Sequence, residues 1–107
     1  MARIYVSLDL ETTGLDRDRD AIIEVGAVKF RGEEVLDTWT TLVKPDRPIP
    51  YRIERLTGIH QEETEGAPSV STVVERLARF IKDYPLVGHT IGFDLAFLRR
   101  HGLLLAN

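Results

Sequence analysis

Two short links constrain this fold more than any other feature of the sequence. They join three runs of β-type residues near the N-terminus. The first run, Ile4 to Leu10, alternates: Ile4, Val6, Leu8 and Leu10 fall on one face, and Tyr5, Ser7 and Asp9 on the other. A polar stretch from Thr12 to Asp20, with Gly14 as its turn residue, leads to Ala21–Phe30, a run rich in Ile and Val that reads as a largely buried strand. Arg31-Gly32-Glu33-Glu34 then leads to the third run, Val35–Val43. A parallel crossover needs about a dozen residues or more, so links this short favour antiparallel neighbours.

The rest of the chain reads as mainly helical. Lys44–Pro50 carries three prolines and predicts an extended loop, and Tyr51–Leu56 predicts one or two helical turns stopped by Thr57-Gly58. Val70, Val73, Val74, Leu77, Phe80, Ile81 and Tyr84 recur at three- and four-residue steps, which predicts a helix over 69–84, capped by Ser69 or Ser71 and ended by Pro85. Leu86–His89 reads as a short buried strand, and Phe93–His101 as a helix with Gly102 as its stop signal. The order β-β-β-α-α-β-α implies a mixed sheet with helices packed on it, an α/β layer architecture. No repeat or linker-like stretch divides the 107 residues, so one domain over 1–107 is expected.

Charge matters here because of the partners it argues against. Fourteen Lys and Arg against 17 Asp and Glu give a formal charge of −3, whereas proteins that hold nucleic acid by neutralising phosphates usually carry a basic excess. If this chain handles a polyanion, the positive field must come from elsewhere. The absence of cysteine excludes a disulfide framework and every thiolate metal site. Apolar runs are only a few residues long, and the first ten residues do not read as a secretory signal, so no membrane contact and a cytoplasmic address are expected.

The chemistry-bearing residues begin with Asp9-Leu10-Glu11. Side chains two apart on a strand share a face, so Asp9 and Glu11 project together. Paired carboxylates repel and raise each other's pKa unless a cation sits between them, and hard oxygen ligands suit Mg²⁺ or Mn²⁺. The same pair at a strand end could equally be solvated turn formers. Asp94 opens a helix, where backbone N–H groups favour a carboxylate, and His89 could be an ordinary strand-end histidine. Phe93, Phe97 and Leu98 have the spacing of core residues.

In combination these features say more than any one of them. Asp9-Leu10-Glu11-Thr12-Thr13-Gly14 before a β-hairpin, Leu56-Thr57-Gly58-Ile59, and His89 followed by Phe93-Asp94 at a helix start together resemble the DEDD exonuclease superfamily over essentially the whole chain. The likeness is strongest to its proofreading-type branch, similar to the bacterial DNA polymerase III epsilon subunit and to exonuclease domains fused to some helicases. The resemblance implies a ribonuclease-H-like fold. It further implies two divalent metal ions, Mg²⁺ or Mn²⁺, and 3′-to-5′ removal of nucleotides from single-stranded DNA or RNA 3′ ends, DNA foremost. It also implies association with a polymerase or a fused helicase region.

By the same resemblance Asp9, Glu11 and Asp94 would bind the metals. Thr12, Thr13 and Gly14 would approach the terminal nucleotide with their backbone, Leu15 and Thr57 would flank its base and sugar, and Phe93 would pack beneath it. His89 would support the site without moving a proton. Thr90 stands where the family commonly has asparagine. Two metals about 3.5–4 Å apart can activate a water and stabilise the leaving oxygen, and their charge lets an acidic chain work on a polyanion. Glu24, among Ile22, Ile23 and Val25, is expected to be a structural acid, and His60 and His101 to be non-catalytic, the latter favoured by the helix dipole.

The family's third motif, a histidine followed five positions later by an aspartate, has no counterpart. His101 is followed by Gly102-Leu103-Leu104-Leu105-Ala106-Asn107, and no aspartate follows Asp94. The expectation is a domain incomplete at its C-terminus, with Leu103–Leu105 left uncovered and activity reduced or lost. The alternative is a non-catalytic nucleic-acid- or polymerase-binding module that retains the fold. An unrelated metal-binding α/β domain would need all three motifs to coincide by chance.

Overall fold

The structure is a computed structural model that describes residues 2–104. Its strands are β1 (Ile4–Thr12), β2 (Ile22–Arg31), β3 (Glu34–Leu42) and β4 (Leu86–Val87). Its helices are α1 (Tyr51–Thr57), α2 (Gln61–Thr64), α3 (Val70–Ile81) and α4 (Ile91–Arg100). The sheet runs in the order β3-β2-β1-β4; β1, β2 and β3 pair antiparallel, as their short links require, and β4 joins β1 in parallel. The α/β expectation therefore holds, with the mixed sheet in place.

Alternation along β1 sets the layers. Val6, Leu8 and Leu10 are buried and join Val25 and Ala27 of β2 in the main core, while Asp9 and Glu11 project from the opposite face. α3 covers the core face with Val73, Val74, Leu77 and Ile81. At the edge of that layer Trp39 stacks on Phe80, and the Lys29 ammonium lies 4.7 Å from the Phe80 ring centre. Burying each such aliphatic side chain stabilises the fold by about 1.5–3 kcal/mol. A second cluster of Ile23, Ile49, Ile53 and Ile59 fastens α1 to the end of β2.

The structure departs locally from sequence expectation in three places. α3 is capped by Ser69, which accepts from Thr72 N, but it ends at Ile81 and not at Tyr84. Lys82 takes a positive φ of 55° and turns the chain three residues before Pro85. α2, absent from the sequence reading, is a single turn held by a capping box in which His60 and Glu63 exchange hydrogen bonds. The β4 expectation shortens to two residues, and Gly88, just beyond them, packs directly against β1. A Cβ there would lie 2.8 Å from the Leu8 carbonyl oxygen, a backbone atom with no room to yield. Gly88→Ala is expected to cost about 1–3 kcal/mol by this overpacking, read as a lower urea midpoint; an unchanged midpoint would show that β4 can shift freely.

Of the run Leu103 to Leu105, Leu103 folds back into the main core, Leu104 is 88% exposed, and Leu105 lies outside the described residues. Among the described residues no helix is long and apolar enough to cross a membrane.

Candidate active site

Parallel pairing of β4 with β1 decides where the acids meet. Val6 aligns with Leu86 and Ser7 with Val87, so both strands advance toward the same end of the sheet. The chain leaves β4 there and turns into α4, which places Asp94 in the first turn of α4 near the Asp9–Glu11 end of β1. Phe97 and Leu98, both fully buried, seat α4 on the core and fix that placement. Asp94 itself is only 4% exposed. A carboxylate this buried is costly unless something favourable faces it.

The carboxyls respond to one another. Burial, then the charges of Asp9 and Glu11, push Asp94 up to about 6. Glu11 is also raised, first by burial, then by Asp9 and by Glu24. Glu24 pairs directly across from Glu11 on β2 and so shares its face, on the open side of the strand. A bulge between Glu11 and Thr12 interrupts the register where the acidic face meets the loop.

These oxygens fit a hard divalent cation by donor type and by their unrelieved mutual charge. They are not a ready-made cage. Among the described residues no three His, Cys, Asp or Glu side chains stand close enough together to hold an ion. Unscreened carboxylates repel, so Asp9, Glu11 and Asp94 would have to turn toward a cation to coordinate it.

The loop after β1 is organised by Asp20. Its carboxylate accepts from Asp16 N at 2.9 Å and from the Thr13 hydroxyl at 3.0 Å, and the Thr13 oxygen in turn accepts from Ala21 N. Gly14 packs against the same carboxylate: a Cβ there would fall 2.7 Å from Asp20 Cγ. Arg100 donates to the Arg17 and Asp20 carbonyls at 2.8 Å each, tying the loop to the helix that carries Asp94.

A cleft of about 610 Å³ opens beside this loop, lined among others by Glu11, Thr12, Gly14, Leu15, Thr57 and Phe93. Six residues singled out in the sequence thus share one cavity. Leu15 and Leu56 stand at its rim, 86% and 81% exposed. The Thr57 hydroxyl donates to Ile53 O and accepts from Ile59 N, so it is held in a fixed orientation. Thr13 is the exception among the loop residues: its side chain is buried and its hydroxyl engaged within the loop, and its own N–H bonds Ala21 O. His89 lies elsewhere too, in a neighbouring recess of about 490 Å³ that it shares with Asp9.

Sequence reasoning assigns no site role to Arg52, Ile53, Asp16 or Asp20, nor to Leu56, which enters it only within the Leu56–Ile59 motif; all five also line the cleft. The available signals were proximity to Thr57 on α1 for Arg52, Ile53 and Leu56, and proximity to Gly14 and Leu15 in the loop after β1 for Asp16 and Asp20. His101 corrects another expectation. Burial, followed by the Arg100 charge, lowers its pKa against an opposing pull from Asp46, so α4 does not end on a dipole-stabilised imidazolium. Its Nε2 is buried and has no hydrogen-bond partner among the described residues.

The acidic side chains thus lie at the strand ends of a mixed α/β sheet, beside an open cleft. Residues 6–106 match the family model of the RNase_T exonucleases, and the chain belongs to that family. It is 44% identical over 95 residues to the PolC-type DNA polymerase III of Thermotoga maritima, covering 89% of this chain and 7% of that protein. It is 38% identical over 96 residues to the 3′-5′ exonuclease DinG of Staphylococcus epidermidis, covering 90% of this chain and 11% of that protein. The chain therefore spans about a tenth or less of the length of these relatives. Its fold matches Escherichia coli exonuclease I in a zinc-bound complex with single-stranded DNA, with a TM-score of 0.81 and 18% identity over 94% of this chain and 23% of that one.

Proposed function

We propose that this chain is the 3′-to-5′ exonuclease domain, over residues 1–107, of a DNA-processing protein, and that Asp9, Glu11 and Asp94 hold two divalent metal ions, Mg²⁺ or Mn²⁺, at its catalytic centre. The observation that carries the reading is the approach of a buried Asp94 on α4 to the two acids of β1, of which Glu11 also lines the cleft of about 610 Å³. When bound, such ions activate water and neutralise charge on the leaving oxygen.

The side chains around them do the positioning. Phe93 offers an aromatic surface under the terminal sugar and base, while Leu15 and Leu56 close on the base from the rim. Thr57, locked by its two hydrogen bonds, presents its methyl to the sugar. Thr12 and Gly14 bring the loop backbone to the terminal nucleotide, and Thr13 holds that backbone in shape from inside. His89, in the adjoining recess with Asp9, supports the acid without moving a proton. The substrate is a single-stranded 3′ end, DNA foremost, in a cytoplasmic setting beside a polymerase or helicase region like those of the relatives.

These 107 residues hold no histidine placed as the family's general base and no aspartate after Asp94. Loss of a general base commonly removes ~10²–10⁴-fold in rate, so hydrolysis by this chain is expected to be slow. The check uses single strands labelled at the 3′ or 5′ end, with Mg²⁺ or Mn²⁺ and without. The expected result is slow, metal-dependent shortening from the 3′ end that Asp9→Ala abolishes. Shortening that persists in Asp9→Ala, or that proceeds without metal, would overturn the reading. A strand that binds but stays intact even at high protein would favour the non-catalytic binding module.

A further inference from the structure

Among its described lining residues the cleft carries three acids and one cation. Glu11, Asp16 and Asp20 contribute carboxylates to its wall, whereas Arg52, at the start of α1, is the single basic residue among the described residues that line it. Arg52 is exposed and makes no ion pair or hydrogen bond among the described residues. Arg19, Arg31, Arg47 and Arg79 are each paired with an acid, Arg100 is spent on two loop carbonyls, and Arg55 lies over the Tyr51 ring at 5.9 Å. An arginine left free within a cleft that also holds three acids is not being used to neutralise them.

The rigid placement of α1 makes this a fixed position and not a chance of surface sampling. Ile53, next to Arg52, is buried in the second core cluster, and Glu54 of the same helix accepts from Gln61 N at 2.8 Å. Arg52 and Leu56 are four apart and so stand on the same side of α1, with the apolar rim next to the cation. That juxtaposition, an apolar contact beside a planar donor fork, matches a nucleotide unit, whose base is apolar in its faces and whose phosphate takes two parallel N–H bonds.

We propose, resting on the reading above, that Arg52 is a positioning residue that holds a backbone phosphate of the single strand on the α1 wall. It fixes the strand so that the end nucleotide reaches Asp9, Glu11 and Asp94. The metal end accounts for the terminal linkage; Arg52, the one basic side chain among the described residues that line the cleft, supplies counter-charge for the strand further out.

The test is binding, read by fluorescence anisotropy of a 5′-labelled single-stranded oligothymidylate with the whole chain in Ca²⁺. Arg52→Ala is expected to weaken binding about tenfold at low salt and to reduce the slope of log affinity against log salt by ~0.7, the share of one phosphate contact. Arg52→Lys is expected to restore the slope but only part of the affinity, since a point charge replaces a fork. Methylphosphonate substitution, one linkage at a time, should weaken wild type at a position to which Arg52→Ala is indifferent. Arg99→Ala, a control outside the cleft, should leave the slope unchanged. Equal affinity and slope in wild type and Arg52→Ala, with the strand bound, would overturn the proposal alone. Failure of wild type to bind any single strand would overturn it together with the exonuclease reading.

Discussion

Asp94→Asn is expected to stabilise the metal-free protein at pH 7 by about 2 kcal/mol while removing its response to Mg²⁺ or Mn²⁺. The carboxyl is buried and faces Asp9 and Glu11, and its pKa stands at about 6 in the fold against 3.8 as the ordinary value. Between those two values the native state binds the proton that the unfolded chain has lost. Stability therefore falls as pH rises through this window, from about 4 to about 6, and the full penalty is present at neutral pH. Asparagine keeps the shape and discards the charge, so the urea midpoint of the variant should fall less steeply across the window than that of wild type. Glu11, raised for the same reasons, acts in the same direction. A wild-type midpoint that rises from pH 4 to pH 6 would contradict the account. With metal present the order should reverse, because a ligand bound only to the native state stabilises it by mass action. A position that costs stability in the free protein and returns it on binding is what a functional site looks like energetically.

The second large effect is expected at Phe97. Its side chain is fully buried in the main core, and its ring lies 4.9 Å from that of Phe93, tilted by 60°. Phe97→Ala removes a whole aromatic side chain from a close-packed interior, at a cost of about 3–5 kcal/mol. For a domain of this size, whose total stability is expected near 5–15 kcal/mol, that is a large fraction. The loss also reaches the site, since Phe97 is one turn from Asp94 and its neighbour Phe93 lines the cleft. Urea denaturation followed by circular dichroism should give a midpoint much lower than wild type with an unchanged m-value. A cost under about 1 kcal/mol would mean that α4 is not anchored by this residue and that Asp94 is placed by other means.

Much of this arrangement is legible in the sequence because period and link length are strong physical signals. Val6, Leu8 and Leu10 alternate with Ser7, Asp9 and Glu11, and period-2 geometry leaves the two acids nowhere to go but one face. The short links around β2 allow only antiparallel pairing. What is not legible depends on register and on surface position. Glu24 faces Glu11 because the unbroken β1–β2 register from Ile4–Arg31 onward brings them opposite, and nothing in the run Ile22-Ile23-Glu24-Val25 announces that register. Arg52 and Leu56 are exposed residues of a seven-residue helix, too short to carry a periodic signature, yet they form a wall of the cleft. Thr13 sits in a motif whose neighbours line the cavity, but Asp20, seven residues on, turns its hydroxyl inward. The end of α3 fails for a similar reason: a local turn at Lys82 overrides the apolar spacing that reaches Tyr84.

The account stands on three carboxylates acting as one metal site, and calorimetric titration of Mn²⁺ into the whole chain at pH 7 tests that most directly. Wild type is expected to bind saturably, and Asp9→Asn, Glu11→Gln and Asp94→Asn each to bind at least tenfold more weakly while remaining folded by circular dichroism. Mn²⁺ binding that survives unchanged in all three variants, or no binding by a folded wild type, would contradict it.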